Sequence, residues 1–211
     1  MITIVIFSIF IMEKLSFYKQ KKVLVCGGNG FIGSHLVNSL VQSEANVTVI
    51  GKSLKPKNFE KSDIQYVSTN LLELNQCKKV IKDFDYVFNA AGVSGGIDFR
   101  LNNSSKLFLE NSLLNLNLLL SLADSNVKRY QFLSSVAVYP SNAKNPISEV
   151  EPINFKNTKT DFGYAEAKIL GELHCKSFTE EFGLKISVIR SDNTFGPNDN
   201  FLRVSPYVIP S

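Results

Sequence analysis

Tyr164 and Lys168 stand four residues apart in the stretch Tyr164-Ala165-Glu166-Ala167-Lys168. On a helix their side chains share one face, one turn apart. A phenol ionises near ~10 in water and is a poor proton carrier at neutral pH unless a cation stabilises its charged form. Lys168 supplies that cation. Ser134-Ser135 closes the strand-like run Arg129-Tyr130-Gln131-Phe132-Leu133, and a serine hydroxyl there would hold a reacting oxygen beside the phenol. Serine, tyrosine and lysine so arranged transfer a proton to or from a carbonyl oxygen. Tyr18 and Lys22 repeat the spacing, but they precede the first strand, where no site forms.

A second group of residues speaks to phosphate. Gly27-Gly28-Asn29-Gly30-Phe31-Ile32-Gly33 places glycines at positions 1, 4 and 7 directly after Val23-Leu24-Val25-Cys26. A tight turn, close backbone approach to a pyrophosphate, and helix-on-strand packing each demand a residue without Cβ. The helix that follows turns its unpaired N–H groups toward the phosphates. This spacing, after a strand and before a helix, predicts dinucleotide binding. The second strand ends Ile50-Gly51-Lys52-Ser53 with no acid to hold a ribose hydroxyl. A small residue followed by a lysine leaves room and a cation for a 2′-phosphate, so the expected cofactor is NADP, with NAD possible.

The elements that must hold these groups alternate. Strands are expected at 23–26, 47–50, 63–67, 86–89, 129–133 and 185–189, and helices at 31–42, 74–82, 106–123 and 164–182. Such alternation predicts a Rossmann-type doubly wound parallel sheet, covered on both faces. The long irregular stretch from Pro140 to Asp161 is of a length usually kept for function.

Composition narrows the classes. With 44% hydrophobic residues the chain buries a core, and a net charge of +4 from 23 basic and 19 acidic side chains is mild. The lysines are scattered, which argues against nucleic-acid binding. Cys26, Cys77 and Cys175 are far apart and only two histidines occur, which excludes a structural zinc or a disulfide framework and suggests a reducing cytoplasm. No metal is expected. The opening MITIVIFSIFI lacks the basic start of a signal peptide and is too short to span a bilayer. Residues 1–20 are therefore read as an N-terminal extension, non-native or disordered, with no membrane role, and 21–211 as the domain. His35 and His174 read as surface or packing residues, and Cys26 as a small buried hydrophobe.

GGNGFIGSHL, VFNAAG, FLSSVAVYP, YAEAK and GPNDNF together, over about residues 22–211, resemble the extended short-chain dehydrogenase/reductases, the NAD-dependent epimerase/dehydratase enzymes of nucleotide sugars. Within them, AAGVSGGI, SSVAVYPSNAKNPISE, YAEAKILGE and DNTFGPNDNF are most similar to the GDP-L-fucose synthase branch. The resemblance implies Ser135, Tyr164 and Lys168 as the catalytic residues. It places Gly27, Gly30, Phe31, Ile32 and Gly33 at the pyrophosphate, and Lys52, Asn70, Leu71, Ala90, Ala91, Tyr164 and Lys168 along the cofactor. Asn111 would be a structural residue of the helix behind the site, and Ser135 and Asn193 would face the nucleotide sugar. The implied reaction is reduction of a 4-keto (6-deoxy) sugar carried on a nucleoside diphosphate. A 4-epimerase, oxidase or dehydratase of the same family is the enzyme alternative, and a catalytically silent dinucleotide-binding fragment is the alternative of another class. Relatives dimerise through the helices near 106–123 and 164–182, so a homodimer is expected. Two departures stand out. The cysteine and histidine that serve epimerisation in that branch are here Val136 and Tyr207, and the text stops at Ser211 before the family's C-terminal substrate lobe, so the expected fold is C-terminally truncated.

Overall fold

Alternate residues of the first strand, β1 (Lys22–Cys26), feed two separate cores. Leu24 and Cys26 serve one face of the sheet and Val23 and Val25 the other, all four fully buried. This is the period-2 geometry of a strand covered on both sides. The computed structural model describes residues 16–52, 64–144, 146–153, 163–197 and 199.

Five further strands join β1: β2 (Asn46–Gly51), β3 (Gln65–Ser68), β4 (Tyr86–Asn89), β5 (Arg129–Ser135) and β6 (Ile186–Ser191). Every pairing is parallel and the order is β3-β2-β1-β4-β5-β6. The chain order reverses between β1 and β4, and beyond the carboxyl ends of those strands lies the crevice where such sheets take ligands. The helices are α1 (Phe31–Gln42), α2 (Leu74–Val80), α3 (Ile97–Asn102), α4 (Ser104–Leu122) and α5 (Tyr164–Phe182). Leu114, Leu118, Leu119 and Leu122 of α4 pack with Leu24, Val87, Tyr130 and Phe132, while Val37 and Leu40 of α1 pack on the opposite face.

The Rossmann-type expectation holds, with local differences. Helices α1 and α5 have the expected bounds. α2 is shorter, because a 3₁₀ turn at Ile81–Asp83 closes it. α3 was not anticipated. β5 extends two residues further than its apolar run, since pairing continues through Ser134↔Arg190 and Ser135↔Ser191, so both serines belong to the strand itself. Among the described residues, cover on both faces does not reach the edge strand β6, where Val188 and Ile189 are 40% and 51% exposed. Ser16–Tyr18 form a 3₁₀ turn, and the Tyr18 ring meets Tyr86 and Phe88 edge-on at 5.4 and 5.9 Å. The part of the N-terminal segment from residue 16 onward thus lies against the sheet, while residues 1–15 fall outside the described residues. Asp85 pairs with Lys128 at 2.8 Å and accepts from the Lys22 amide. Among the described residues no helix is long and apolar enough to cross a membrane, and no cluster of metal-binding side chains occurs.

One polar chain crosses the larger core. The Asn89 amide donates to the Tyr130 hydroxyl at 2.8 Å, that hydroxyl donates to Asn115 Oδ1 at 2.7 Å, and Asn115 Nδ2 lies 3.4 Å from the Gly171 carbonyl. Burial pushes the Tyr130 phenol well up, so the hydroxyl keeps its proton. At its other end Asn89 Oδ1 accepts from the Ala91 amide. The chain therefore ties the loop after β4 to α4 and α5. Tyr130→Phe leaves Asn89 and Asn115 without their shared partner, and should lower the unfolding free energy by about 1–3 kcal/mol. Urea unfolding measures it, and an unchanged midpoint would show that the chain contributes nothing.

Candidate functional site

The turn from β1 into α1 is closed by contacts that admit no side chain. Gly27 adopts φ +73, and a Cβ added there would stand 2.6 Å from Ala91 Cα. One added at Gly33 would stand 2.2 Å from the Gly27 carbonyl oxygen. Gly30 caps α1 without a side-chain hydrogen bond, so the opening amides of α1 are left for a ligand at the carboxyl edge of the sheet. These three glycines, singled out by the sequence, form one cradle at the point where strand order reverses, and the cradle fits a pyrophosphate. Phe31 and Ile32 begin α1 above it. The Phe31 ring meets His35 edge-on at 5.6 Å, and His35 Nε2 lies 2.7 Å from the Pro197 carbonyl oxygen. His35 thus fastens the segment after β6 to α1, a packing role as expected.

The other residues expected along a dinucleotide lie around this crevice. Ala90 follows β4 and its amide donates to the Cys26 carbonyl at 3.0 Å. Ala91 packs on Gly27. Gly51 ends β2 with nothing among the described residues within 4 Å of where its Cβ would stand, and Lys52 beside it is exposed. Asn70 makes a local turn, its Oδ1 accepting from the Leu72 amide, while Leu71 is buried in the core with its carbonyl held by Asn117 Nδ2 at 3.0 Å. The Leu71 side chain therefore belongs to the core, and only its backbone borders the crevice. Asn193 is exposed after β6. Val136 opens a 3₁₀ turn after β5, and Tyr207 lies outside the described residues.

The serine is carried by β5 and the tyrosine and lysine by α5, with Lys168 reaching β5 two residues before Ser135. Two glycines set the depth of α5. A Cβ on Gly163 (φ +86) would meet the Ser104 carbonyl at 2.2 Å, and one on Gly171 would meet the Phe132 ring at 2.5 Å. The Glu166 carboxylate reaches back to accept from the Gly163 amide, which starts the helix at Tyr164. Lys168 is 6% exposed and Nζ donates to the Leu133 carbonyl at 2.7 Å, above the Phe132 ring at 5.2 Å. Burial lowers its pKa from the usual 10.5 to about 8. The same ammonium stands 5.6 Å from the centre of the Tyr164 ring. Ser135 Oγ accepts from the Ala137 amide at 3.2 Å, which holds the serine at the strand end. Asn111 of α4 accepts from the Val93 amide and donates to its carbonyl, both at 2.9 Å, the structural role expected of it. The arrangement can protonate or deprotonate an oxygen next to a phosphate-binding cradle.

Four residues of this neighbourhood, Glu172, Arg190, Tyr139 and Arg100, escaped the sequence reading. Glu172 and Arg190 form a two-pronged pair at 2.9 and 2.7 Å. Ser134 Oγ donates to Glu172 at 2.6 Å, and Arg190 donates to the Tyr139 hydroxyl and the Glu149 carbonyl at 2.9 and 3.1 Å. Two signals were present: Glu172 falls one turn after Lys168, and Arg190 is a charge inside an apolar strand run. The fourth is Arg100, on the unanticipated α3, whose guanidinium lies 4.9 Å from the centre of the Tyr164 ring. The cysteines take no part. Burial pushes the Cys77 thiol up to about 11 and Cys175 to about 12, and Cys26 is raised further still. His174, half-buried on α5, is lowered by burial and stays neutral at pH 7.

Comparison with known proteins places this geometry. Residues 23–211 match the model of the NAD dependent epimerase/dehydratase family. The chain is 28% identical over 193 residues to GDP-mannose 3,5-epimerase 1 of Oryza sativa subsp. indica, covering 88% of this chain and 50% of that protein. It is 28% identical over 199 residues to GDP-L-fucose synthase of Escherichia coli (strain K12), covering 91% and 56%. Among solved structures, UDP-N-acetylglucosamine 4-epimerase from Methanobrevibacter ruminantium M1, in complex with UDP-N-acetylmuramic acid, superposes with a TM-score of 0.80 at 31% identity, covering 91% of this chain and 61% of that one. The chain thus spans about half the length of the curated relatives it matches.

Lys168 gives this site a pH signature. Between about 8 and 10.5 the unfolded chain binds more protons at this residue than the folded one, so its contribution to stability rises with pH across that window. Below about 8 the ammonium is charged in both states and the full cost of burying it is carried. Lys168→Met is expected to be more stable than the parent at neutral pH, with the gap closing as pH climbs toward 10.5. Denaturant unfolding of both proteins across the window tests it, and a gap that stays constant would refute the assignment.

Proposed function

Because the chain belongs to the NAD dependent epimerase/dehydratase family, we propose that it is a nicotinamide-dependent reductase of a nucleotide sugar, acting on a 4-keto (6-deoxy) sugar of a nucleoside diphosphate. The observation that carries this reading is the convergence, at one carboxyl edge of the sheet, of the Gly27–Gly33 cradle with Tyr164, the buried Lys168 and Ser135. The bound dinucleotide supplies the hydride. Tyr164 gives its phenolic proton to the carbonyl oxygen, the Ser135 hydroxyl donates a hydrogen bond to that oxygen, and the Lys168 ammonium offsets the charge left on the phenol. Asn193 is read as a contact to the nucleotide sugar. Gly51 and Lys52 support NADP over NAD, since open space next to a cation suits a 2′-phosphate. Cytoplasmic location and a homodimer belong to the same proposal. Exposed Leu109 and Leu120 on α4 and Leu173 on α5 are apolar surface that a second copy would cover.

A 4-epimerase is the second reading, favoured by the likeness to the UDP-N-acetylglucosamine 4-epimerase structure. The same Ser135, Tyr164 and Lys168 would remove a proton from an alcohol and return it. The two readings part on cofactor consumption: a reductase oxidises one NADPH per sugar, whereas an epimerase leaves the cofactor total unchanged.

Two outcomes are expected. NADPH should bind more tightly than NADH, and Lys52→Ala should shrink the difference by up to about fivefold, the scale of an exposed ion pair. Fluorescence titration reads both affinities, and equal affinities in the parent chain would remove the basis for NADP. With a nucleotide keto sugar present, Tyr164→Phe should slow NADPH oxidation by about 100-fold or more while leaving NADPH affinity nearly intact. Cofactor binding without any turnover by the parent chain, across a panel of nucleotide sugars, would instead favour a silent dinucleotide-binding fragment.

A further inference from the structure

Tyr164 is addressed by two cations from two different elements. Lys168 comes from its own helix, with Nζ 5.6 Å from the ring centre. Arg100 comes from α3, with its guanidinium carbon 4.9 Å from the same centre. Arg100 is held from its other side, because Nε donates to the Gly95 carbonyl at 3.0 Å. That bond spans the first turn of α3 and fixes where the guanidinium stands, half-buried against the ring. A cation on the face of an aromatic ring is attracted by its quadrupole. It is attracted more strongly when the ring belongs to a phenolate, which carries a full negative charge, so its presence favours the ionised form.

We propose that Arg100 is a positioning residue for proton transfer: its guanidinium, anchored by the Gly95 carbonyl, stacks on Tyr164 and stabilises the phenolate that proton donation leaves behind. The proposal rests on the reading of Tyr164 as the proton carrier. It also assigns the two cations different tasks. Lys168 loses its charge as pH passes its lowered value of about 8, whereas a guanidinium stays charged throughout the range where proteins fold. Arg100 therefore sustains the field on the phenol where Lys168 begins to give way. Among the described residues, the carboxylates nearest in sequence do not oppose this. Glu166 is committed to the Gly163 amide, and Asp98 is exposed on α3. Ser135, at the end of β5, is uncharged and its Oγ accepts from the Ala137 amide.

The ionisation of Tyr164 tests the proposal directly. Carbon-13 labelling at tyrosine Cζ reports each of the seven phenols by NMR, and the Tyr164 signal is the one lost in Tyr164→Phe. Burial raises Tyr18, Tyr66 and Tyr130, which keeps them from crowding the lower part of the titration. The midpoint of Tyr164 in the parent chain should lie below the free value near ~10. Arg100→Gln should raise it by about one unit, and Arg100→Lys should recover part of the shift by returning a charge without the planar stack. Arg100→Met, which keeps the unbranched stem, replaces the Gln variant if that one does not fold. A parent midpoint at or above the free value would overturn the proposal. So would a midpoint that Gln or Met leaves unchanged, or a Lys variant no different from Gln. The measurement uses the whole chain without substrate, so absent turnover would count against the reductase reading alone.

Discussion

A lysine ammonium kept almost dry inside the protein is the constraint from which the rest of the site follows. Burying such a charge costs several kcal/mol unless strong partners compensate it. Lys168 has the Leu133 carbonyl at 2.7 Å and two aromatic faces, Phe132 and Tyr164, at 5.2 and 5.6 Å. The first two of these partners, the Leu133 carbonyl and the Phe132 ring, exist only if α5 lies in direct contact with β5. That contact is why residue 171 is glycine: any side chain there would enter the Phe132 ring and lift the helix. It also explains Gly163, where an added Cβ would run into the Ser104 backbone at the start of α5. The depth of one helix therefore decides the position of Tyr164, the burial of Lys168 and the carbonyl that accepts its hydrogen bond.

The same depth has to be kept on the cofactor side, and α4 keeps it. Three asparagines on an otherwise leucine-rich helix each hold a different piece of backbone. Asn111 holds Val93 after β4, Asn117 holds Leu71 after β3, and Asn115 reaches Gly171 on α5 and Tyr130 on β5. An amide buried among leucines is unfavourable unless its hydrogen bonds are made. Each of these amides makes them to a loop that borders the crevice or to the helix that carries Tyr164. The leucines of α4 supply the attraction to the sheet and the asparagines fix the register of what lies around it. This is the use of a polar network that packing alone does not serve, since apolar contacts tolerate small slips that directed hydrogen bonds do not.

What the sequence made legible follows from this division. The sheet, its alternating helices and the bounds of α1 and α5 were readable because periodicity and glycine punctuation act locally. The glycine cradle and the Tyr164–Lys168 pair were readable because their chemistry is tied to spacing within a few residues. Arg100 was not, since α3 is a six-residue helix whose apolar residues, Ile97, Phe99 and Leu101, alternate in sequence rather than fall at helical spacing. Glu172 and Arg190 were overlooked for a related reason: their pairing joins α5 to β6 across 18 residues and depends on strand register. For Leu71, proximity to the crevice in sequence does not tell which way a side chain turns. Its backbone borders the site and its side chain belongs to the core.

The Glu172–Arg190 pair also shows how an edge strand can hold a reactive residue without apolar cover. Ser135 ends β5, and its only strand neighbour on that side is β6, whose Val188 and Ile189 are 40% and 51% exposed. Hydrophobic burial is roughly proportional to area removed from water, so half-covered side chains contribute little to fixing the register of β6. A two-pronged guanidinium–carboxylate contact compensates through direction rather than area. Arg190 lies opposite Ser134 in the β5–β6 register, and Glu172 accepts from both of them. The carboxylate thus locks β5, β6 and α5 at one point, a single residue away from Ser135 and one helical turn from Lys168. Arg190 extends the lock outward to Tyr139 and the Glu149 carbonyl, in the irregular stretch that follows the serine strand. A buried ion pair is seldom a gain in stability over an apolar one. Among the described residues the apolar alternative has little cover to pack against, and the pair fixes the serine's strand against the helix of the tyrosine and lysine.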